Sequence, residues 1–305
     1  MKRDSFGRVL LDDFKVIDNN IIGRKEKTWL LKDGKKYLFK CGASNYEIYA
    51  ELIASELAKQ CGFETAEYDL AVHNGKTGVV TPSFLKFGDI IISGDKYLSN
   101  AQDIAIQNNI NLRFENNSIE NIMNAVAFQD PNSDISELML ALMKIFCFDI
   151  AILECDRNKT NWSIIRDKNG EIRMAPIYDC STMARMNTDI ESLVNSLKSP
   201  GQIYNITDEI QFDLKITNDS NENFFDEFSK LCDMFLEHVQ IVMEGIEKID
   251  TDLAIESVEQ KINTDLKQDK FEIPYVVKIW LRKSIMSRKQ DLINIYNNKR
   301  KRGSK

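Results

Sequence analysis

A chain of 305 residues, 43% hydrophobic and 29% charged, can bury one large core or two moderate ones, and this composition excludes a fibrous or disordered protein. A formal net charge of −7 argues against a dedicated nucleic-acid binder, which would displace counterions from phosphates with a cationic surface. The six cysteines (41, 61, 147, 155, 180, 232) form no Cys-x-x-Cys pair and only His73 and His238 accompany them, so no zinc cluster is expected. The first five residues lead into no apolar signal-peptide core, and these features together point to a reducing cytoplasm.

In chain order, residues 23–29 come first. Gly23 is followed by the basic Arg24, Lys25 and Lys27, where a phosphate-covering loop belongs. The segment is neither a P-loop nor a GxGxxG motif, and a solvated basic turn is its plain alternative. Strand-like runs at 28–31 and 36–41 flank Asp33-Gly34, which predicts a hairpin. Lys40 lies near the end of the second strand, on the same face as Leu38. Residues 45–60 switch to helical spacing, with Ile48, Leu52 and alanines at 50, 54 and 58, and Gly62 stands where a C-terminal cap would. Glu51 shares a helix face with Ala54 and Ala58, and Glu47 lies one turn earlier. Two further strands are predicted at 66–73 and 78–82, around an Asn74-Gly75 turn.

Residues 88–132 are rich in Asn, Asp, Ser and Gln and read as a polar connector with short helices. Asp134 and Glu137 are placed to cap an apolar helix over 135–153. Its apolar run, 138–153, is interrupted by Lys144 and Asp149 and is short of the ~20 residues of a membrane span, so a buried helix is expected. A second hairpin follows, from 162–166 and 171–178 around the turn at 167–170, and helices are expected over 222–247 and 274–297. The basic run Lys299 to Arg302 reads as a solvated tail, with a partner or nucleic acid as the alternative. Trp29, Trp162 and Trp280 read as packing residues, and Cys155 as a small filler beside the loop that follows.

The chemistry concentrates in that loop. Asp156 leaves the end of the apolar helix, Asn161 follows five residues later, and Asp179 ends the return strand of the hairpin, which should bring it beside Asn161. Asp and Asn after a helix are common turn residues, so the spacing gains meaning only from its company. Phosphoryl transfer requires a carboxylate that orients and deprotonates a hydroxyl, with an amide and a second carboxylate holding Mg²⁺ on the phosphates. A lysine such as Lys40, held by a glutamate of the next helix (Glu51, or its rival Glu47), would neutralise the nucleotide phosphates.

Together these residues resemble the HipA-like serine/threonine kinases of bacteria. The segment 23–31 looks like the family's Gly-x-Gln-x-Lys-x-x-Leu loop, and 51–63 its glutamate-bearing helix. Asp156-Arg157 with Asn161, and Pro176 with Tyr178-Asp179, are similar to its catalytic and metal-binding motifs. The resemblance implies ATP and Mg²⁺ as cofactors, with Asp156 as catalytic base, Asn161 and Asp179 as metal ligands, and Lys40 with Glu51 at the phosphates. It also implies nucleotide contacts from Gly23 and Lys27 and from a hinge at 82–86 that includes Ser83, Phe84 and Leu85. Members act on protein Ser or Thr, autophosphorylate, and include toxins whose antitoxins are often DNA-binding proteins.

This chain departs from the family pattern in three ways. Asn158 stands where the family's loop commonly has His, the regulatory serine before the glycine loop is missing (Asn20, Ile21 and Ile22 precede Gly23), and the chain begins close to that loop, like the shorter, stand-alone members. The expectation is a two-lobed, protein-kinase-like α+β fold, with a β-rich lobe over 1–86 and a mainly helical lobe over 87–305. The partner would be a protein substrate, with an antitoxin-like DNA-binding protein possible and neither a membrane nor nucleic acid contacted directly. A small-molecule or lipid kinase of the same core is one rival. A pseudokinase acting as a binding module is the other, and the intact Asp156, Asn161 and Asp179 count against it.

Overall fold

A computed structural model describes residues 1–18, 26–188, 190–198, 212–218, 223–264 and 270–303. The first part is built on one curled sheet of six strands, β1 (Val9–Leu10), β2 (Lys15–Asp18), β3 (Lys27–Lys32), β4 (Lys35–Cys41), β5 (Asp69–His73) and β6 (Lys76–Pro82). They lie in the order β1-β5-β6-β4-β3-β2, antiparallel except for the β1–β5 pair. Both predicted tight turns form. Asp33 and Gly34, and likewise Asn74 and Gly75, take positive φ at the two central positions, the conformation whose twist matches that of the flanking strands.

Helix α1 (Asn45–Gln60) crosses between β4 and β5 with the bounds its periodicity predicts. The Ser44 side chain accepts from the Glu47 backbone N–H at 3.3 Å, satisfying an otherwise orphaned donor. At the other end Gly62 takes φ +70°, while Gly62 N donates to Lys59 O and Phe63 N to Ala58 O, both at 2.9 Å. That pair of bonds is a Schellman cap, and glycine supplies the left-handed residue it requires.

A second sheet, in the order β7-β8-β9, combines β7 (Ile90–Ser93) with the hairpin of β8 (Ser163–Arg166) and β9 (Ile172–Met174). Its hairpin was expected, but β9 stops at Met174, so Asp179 lies in the chain beyond the strand rather than at its end; β7 corrects the reading of 88–132 as a polar connector. The isoleucines at 90–92 pair with Arg166, Ile165 and Ile164, far along the chain, so no local turn announces the strand.

The remaining elements are α2 (Gly94–Gln107), α3 (Ile119–Gln129), α4 (Ile135–Ile152), α5 (Ile190–Leu197), α6 (Phe224–Ile246), α7 (Thr251–Asn263) and α8 (Tyr275–Gly303). The Asp134 side chain caps α4 by accepting from Glu137 N at 3.0 Å. Helices α5 and α7 were not anticipated. Helix α8 runs beyond the expected end, so Lys299 to Arg302 are helical rather than a loose tail, and Lys299 pairs with Asp233 of α6.

The larger core joins α1, α4, α6, α7 and α8. Helix α4 is buried nearly all round through Leu142, Phe146, Phe148 and Ile150, as a helix apolar on every face must be. At about 1.5–3 kcal/mol for each fully buried large apolar side chain, this helix anchors the loop that leaves it. Trp162 and Trp280 lie in this core and Trp29 is half-buried. A smaller cluster of Val9, Leu11, Leu30, Phe39 and Val80 fills the curl of the six-stranded sheet. Among the described residues no helix is long and apolar enough to cross a membrane.

Candidate functional site

Strand alternation sets the first residue of the site. Phe39 faces the small core and Lys40 the opposite side, where it is only 6% exposed. A buried ammonium needs partners. Lys40 Nζ donates to Glu51 Oε1 on α1 and to Asp179 Oδ1 after β9, joining β4 and the helix that follows it to a turn far along the chain. Burial opposes the charge on Lys40, but Glu51 and then Asp179 outweigh it and hold the ammonium above the usual lysine range. The structure thus resolves the choice left by the helix: Glu51, 2% exposed, meets Lys40, whereas Glu47 accepts from Ala43 N at 3.0 Å.

Glu51 also uses its second oxygen, which accepts from Cys180 N at 3.1 Å and so fixes the turn carrying Asp179. Asp179 sits in the left-handed region at φ 57°, a conformation Asp tolerates better than most residues, and its N–H donates to the Tyr68 hydroxyl at 3.3 Å. Lys27 of β3 reaches Asp179 Oδ2 at 3.4 Å. Gly23, Arg24 and Lys25 lie outside the described residues. A pocket opens beside the triad, bordered by Lys40, Glu51, Val79 and Ser181.

The loop after α4 forms the second half of the site. Leu153, at φ 57°, stops the helix, and the chain turns through Glu154. The buried Glu154 carboxylate accepts from Asp156 N at 2.9 Å, from Thr182 N at 3.1 Å and from the Thr182 hydroxyl. Burial pushes its acid value up to about 8, against the pull of Arg157 and Thr182. Asp156 is half-buried. Its Oδ1 accepts from Asn158 Nδ2 at 2.7 Å, and its backbone carbonyl from Asn161 Nδ2 at 2.5 Å. Asn161 is 8% exposed, and among the described residues its amide oxygen has a long contact, 3.4 Å, from the Thr160 hydroxyl.

Arg157, 2% exposed, binds the two halves together. Its guanidinium holds Asp149 of α4 bidentately at 2.9 and 2.8 Å. It also donates to the carbonyls of Asn161 (2.7 Å) and Tyr178 (2.6 Å) and to Cys180 Sγ (3.3 Å). The residues flanking the hairpin therefore converge on one planar cation with five donors, a geometry lysine could not reproduce. Burial pushes the neighbouring Cys155 thiol up to about 11, as suits a filler rather than a reactive thiolate.

In the segment that leaves β6, Ser83 N donates to Lys36 O of β4 at 2.9 Å and Leu85 N to Ser83 Oγ at 3.3 Å. Phe84 stacks on Tyr178, with ring centroids 6.3 Å apart and planes inclined by 25°. The Tyr178 hydroxyl shares a 2.7 Å hydrogen bond with Ser163 Oγ.

The structure thus links Lys40, Glu51, Asp179 and Lys27 in one ion-paired group and Asp156 with Asn161 in another, with Arg157 tying the two. Glu154, Tyr68 and Asn117 went unread in the sequence. Asn117 donates to Arg157 O at 2.8 Å and accepts from Trp162 Nε1 at 2.9 Å, bracing the loop. Glu154 and Arg157 adjoin Asp156 and could have been suspected; Tyr68 and Asn117 carry no local signal.

A curled sheet, a lysine clamped by a helix glutamate, and a helix–loop–hairpin bearing Asp and Asn define a kinase-like protein. Residues 14–260 match the profile of the HipA-like C-terminal domain, and the chain belongs to that family. The chain is similar in fold to the Helicobacter pylori proinflammatory kinase CtkA at a TM-score of 0.74 and 16% identity, covering 96% of this chain and 98% of that one. It is also similar to a chain of the Shewanella oneidensis MR-1 HipA, HipB and operator DNA complex, with a TM-score of 0.57, 13% identity, and coverage of 92% and 67%. No curated protein sequence matches it significantly.

Proposed function

We propose that this protein transfers the γ-phosphate of ATP, in the presence of Mg²⁺, to a serine or threonine hydroxyl of a protein, itself included. The observation that carries this reading is the buried Lys40, held charged by Glu51 and Asp179 and bordering a small pocket. A cation fixed so expensively has a use where polyphosphate charge must be neutralised. Residues 1–86 would be the nucleotide-binding lobe and 87–305 the catalytic lobe. Lys40 and Lys27, with the loop of Gly23, would face the phosphates, and Ser83, Phe84 and Leu85 the adenine.

Among the described residues no group of three or more His, Cys, Asp or Glu could hold a metal unaided. Mg²⁺ is commonly bound through one or two protein carboxylates together with substrate phosphates and water. Asn161 and Asp179 would supply the protein oxygens. When bound, the ion supplies charge neutralisation on the phosphate oxygens. Asp156 takes the proton of the acceptor hydroxyl, whose oxygen forms the new bond to phosphorus as the bond to the β-phosphate oxygen breaks and ADP leaves. Positioning and electrostatics supply most of the acceleration.

By analogy with the HipA neighbour, captured with HipB and operator DNA, an antitoxin-like DNA-binding protein is a candidate partner. The net charge of −7 argues against direct binding of nucleic acid by this chain. A cytoplasmic setting suits free cysteines and ATP. Incubation of the purified protein with γ-labelled ATP and Mg²⁺ tests the reading. Self-labelling on Ser or Thr is expected, and Asp156→Asn should leave folding intact and abolish it. Undiminished labelling of that variant would refute the mechanism, and label passing only to a small molecule or lipid would refute the acceptor.

A further inference from the structure

We propose that Asn158 is the positioning residue for the base: its amide clamps Oδ1 of Asp156 and leaves Oδ2 to receive the acceptor proton. The inference rests on the phosphotransfer reading above and deepens it. The orientation of the Asn158 amide is set by its surroundings. Thr160 N–H can only donate, and it points at Asn158 Oδ1 at 2.9 Å; the Thr160 hydroxyl bonds the same oxygen at 2.7 Å. The NH₂ end must therefore face Asp156, where Nδ2 meets Oδ1 at 2.7 Å. Asn158 O also accepts from Asn161 N at 2.9 Å, so the backbone under this amide is fixed by the turn that carries the amide ligand.

Among the described residues Asp156 Oδ2 has no hydrogen-bond partner, while Oδ1 is held by a neutral donor. A carboxylate free to rotate would present either oxygen and spend part of its time misaligned; a clamped one offers a single aimed lone pair. The donor at this place is an amide where the family pattern commonly has histidine, so aiming the base requires only an N–H in that direction. Histidine Nδ1 and the asparagine amide group lie equally far from Cβ, and either can supply it.

Asn158→Asp provides the sharpest test. The new carboxylate keeps an acceptor for Thr160 N and Oγ1, so the turn survives, but it replaces the donor facing Asp156 with a like charge. Asn158→Ala removes both interactions, and Asn158→His restores a donor. We expect kcat to fall at least ~10-fold in the Asp and Ala variants, with KM for ATP–Mg²⁺ within ~2-fold of wild type, and the His variant to recover most of the loss. An Asp variant with wild-type kcat overturns the inference, as does a loss that appears in KM, or a His variant no better than Ala. Wild-type protein that transfers nothing overturns the phosphotransfer reading and this inference together, whereas an active wild type matched by an equally active Asp variant overturns this inference alone.

Discussion

At the scale of single residues, the site is governed by what burial does to charge. Lys40 tolerates its position because two carboxylates meet it. Glu154, by contrast, is buried with its acid value raised to about 8 from an ordinary 4.5. The sign of its effect on stability follows. Between those two values the folded protein keeps a proton that the unfolded chain has released, so stability falls as pH rises across the window and is flat below and above it. For this one proton the slope is about 1.4 kcal/mol per pH unit. Glu154→Gln should remove that slope between pH 5 and 8 in denaturant titrations, measured as the difference from wild type. A variant that follows the wild-type pH dependence would show that Glu154 ionises freely in the folded state.

At the scale of elements, local signals were legible and distant pairings were not. The turns at Asp33-Gly34 and Asn74-Gly75, the Gly62 cap and the apolar length of α4 are properties of adjacent residues, and the sequence displays each. Strand β7 depends on β8, more than 70 residues later, and its isoleucines stand in an otherwise polar stretch. The junction of β7 and α2 also carries a packing constraint that no composition reveals. A Cβ on Gly94 would lie 2.3 Å from the Trp162 indole, which is itself held by Asn117 beside the loop after α4. Gly94→Ala should therefore cost about 1–3 kcal/mol, read from the denaturant midpoint, because neither the buried ring nor the helix start can yield freely. It should also lower phosphate transfer through displacement of the loop braced by Asn117. A variant as stable as wild type would mean that the α2 start moves aside without strain.

At the scale of the whole molecule, the site is an assembly of pieces that mean little apart. Lys40 comes from β4, Glu51 from α1, Asp156 and Asn161 from the loop after α4, and Asp179 from the chain beyond the second hairpin. Their types and spacings stand out in the sequence because the proposed phosphoryl transfer would call for them; which glutamate meets Lys40 was not legible, since Glu47 and Glu51 lie one turn apart on the same helix. The reach of Arg157 was harder to read than its place in the loop, because two of its acceptors are the backbone carbonyls of Asn161 and Tyr178, which only the fold brings together. The central claim is that these groups surround one magnesium–nucleotide. Calorimetric titration of ATP into wild-type protein and Asp179→Asn, each with and without Mg²⁺, tests it most directly. Mg²⁺ should tighten ATP binding to the wild type, and the variant should lose most of this gain. Wild-type protein indifferent to ATP, or a variant with the full Mg²⁺ effect, would contradict it.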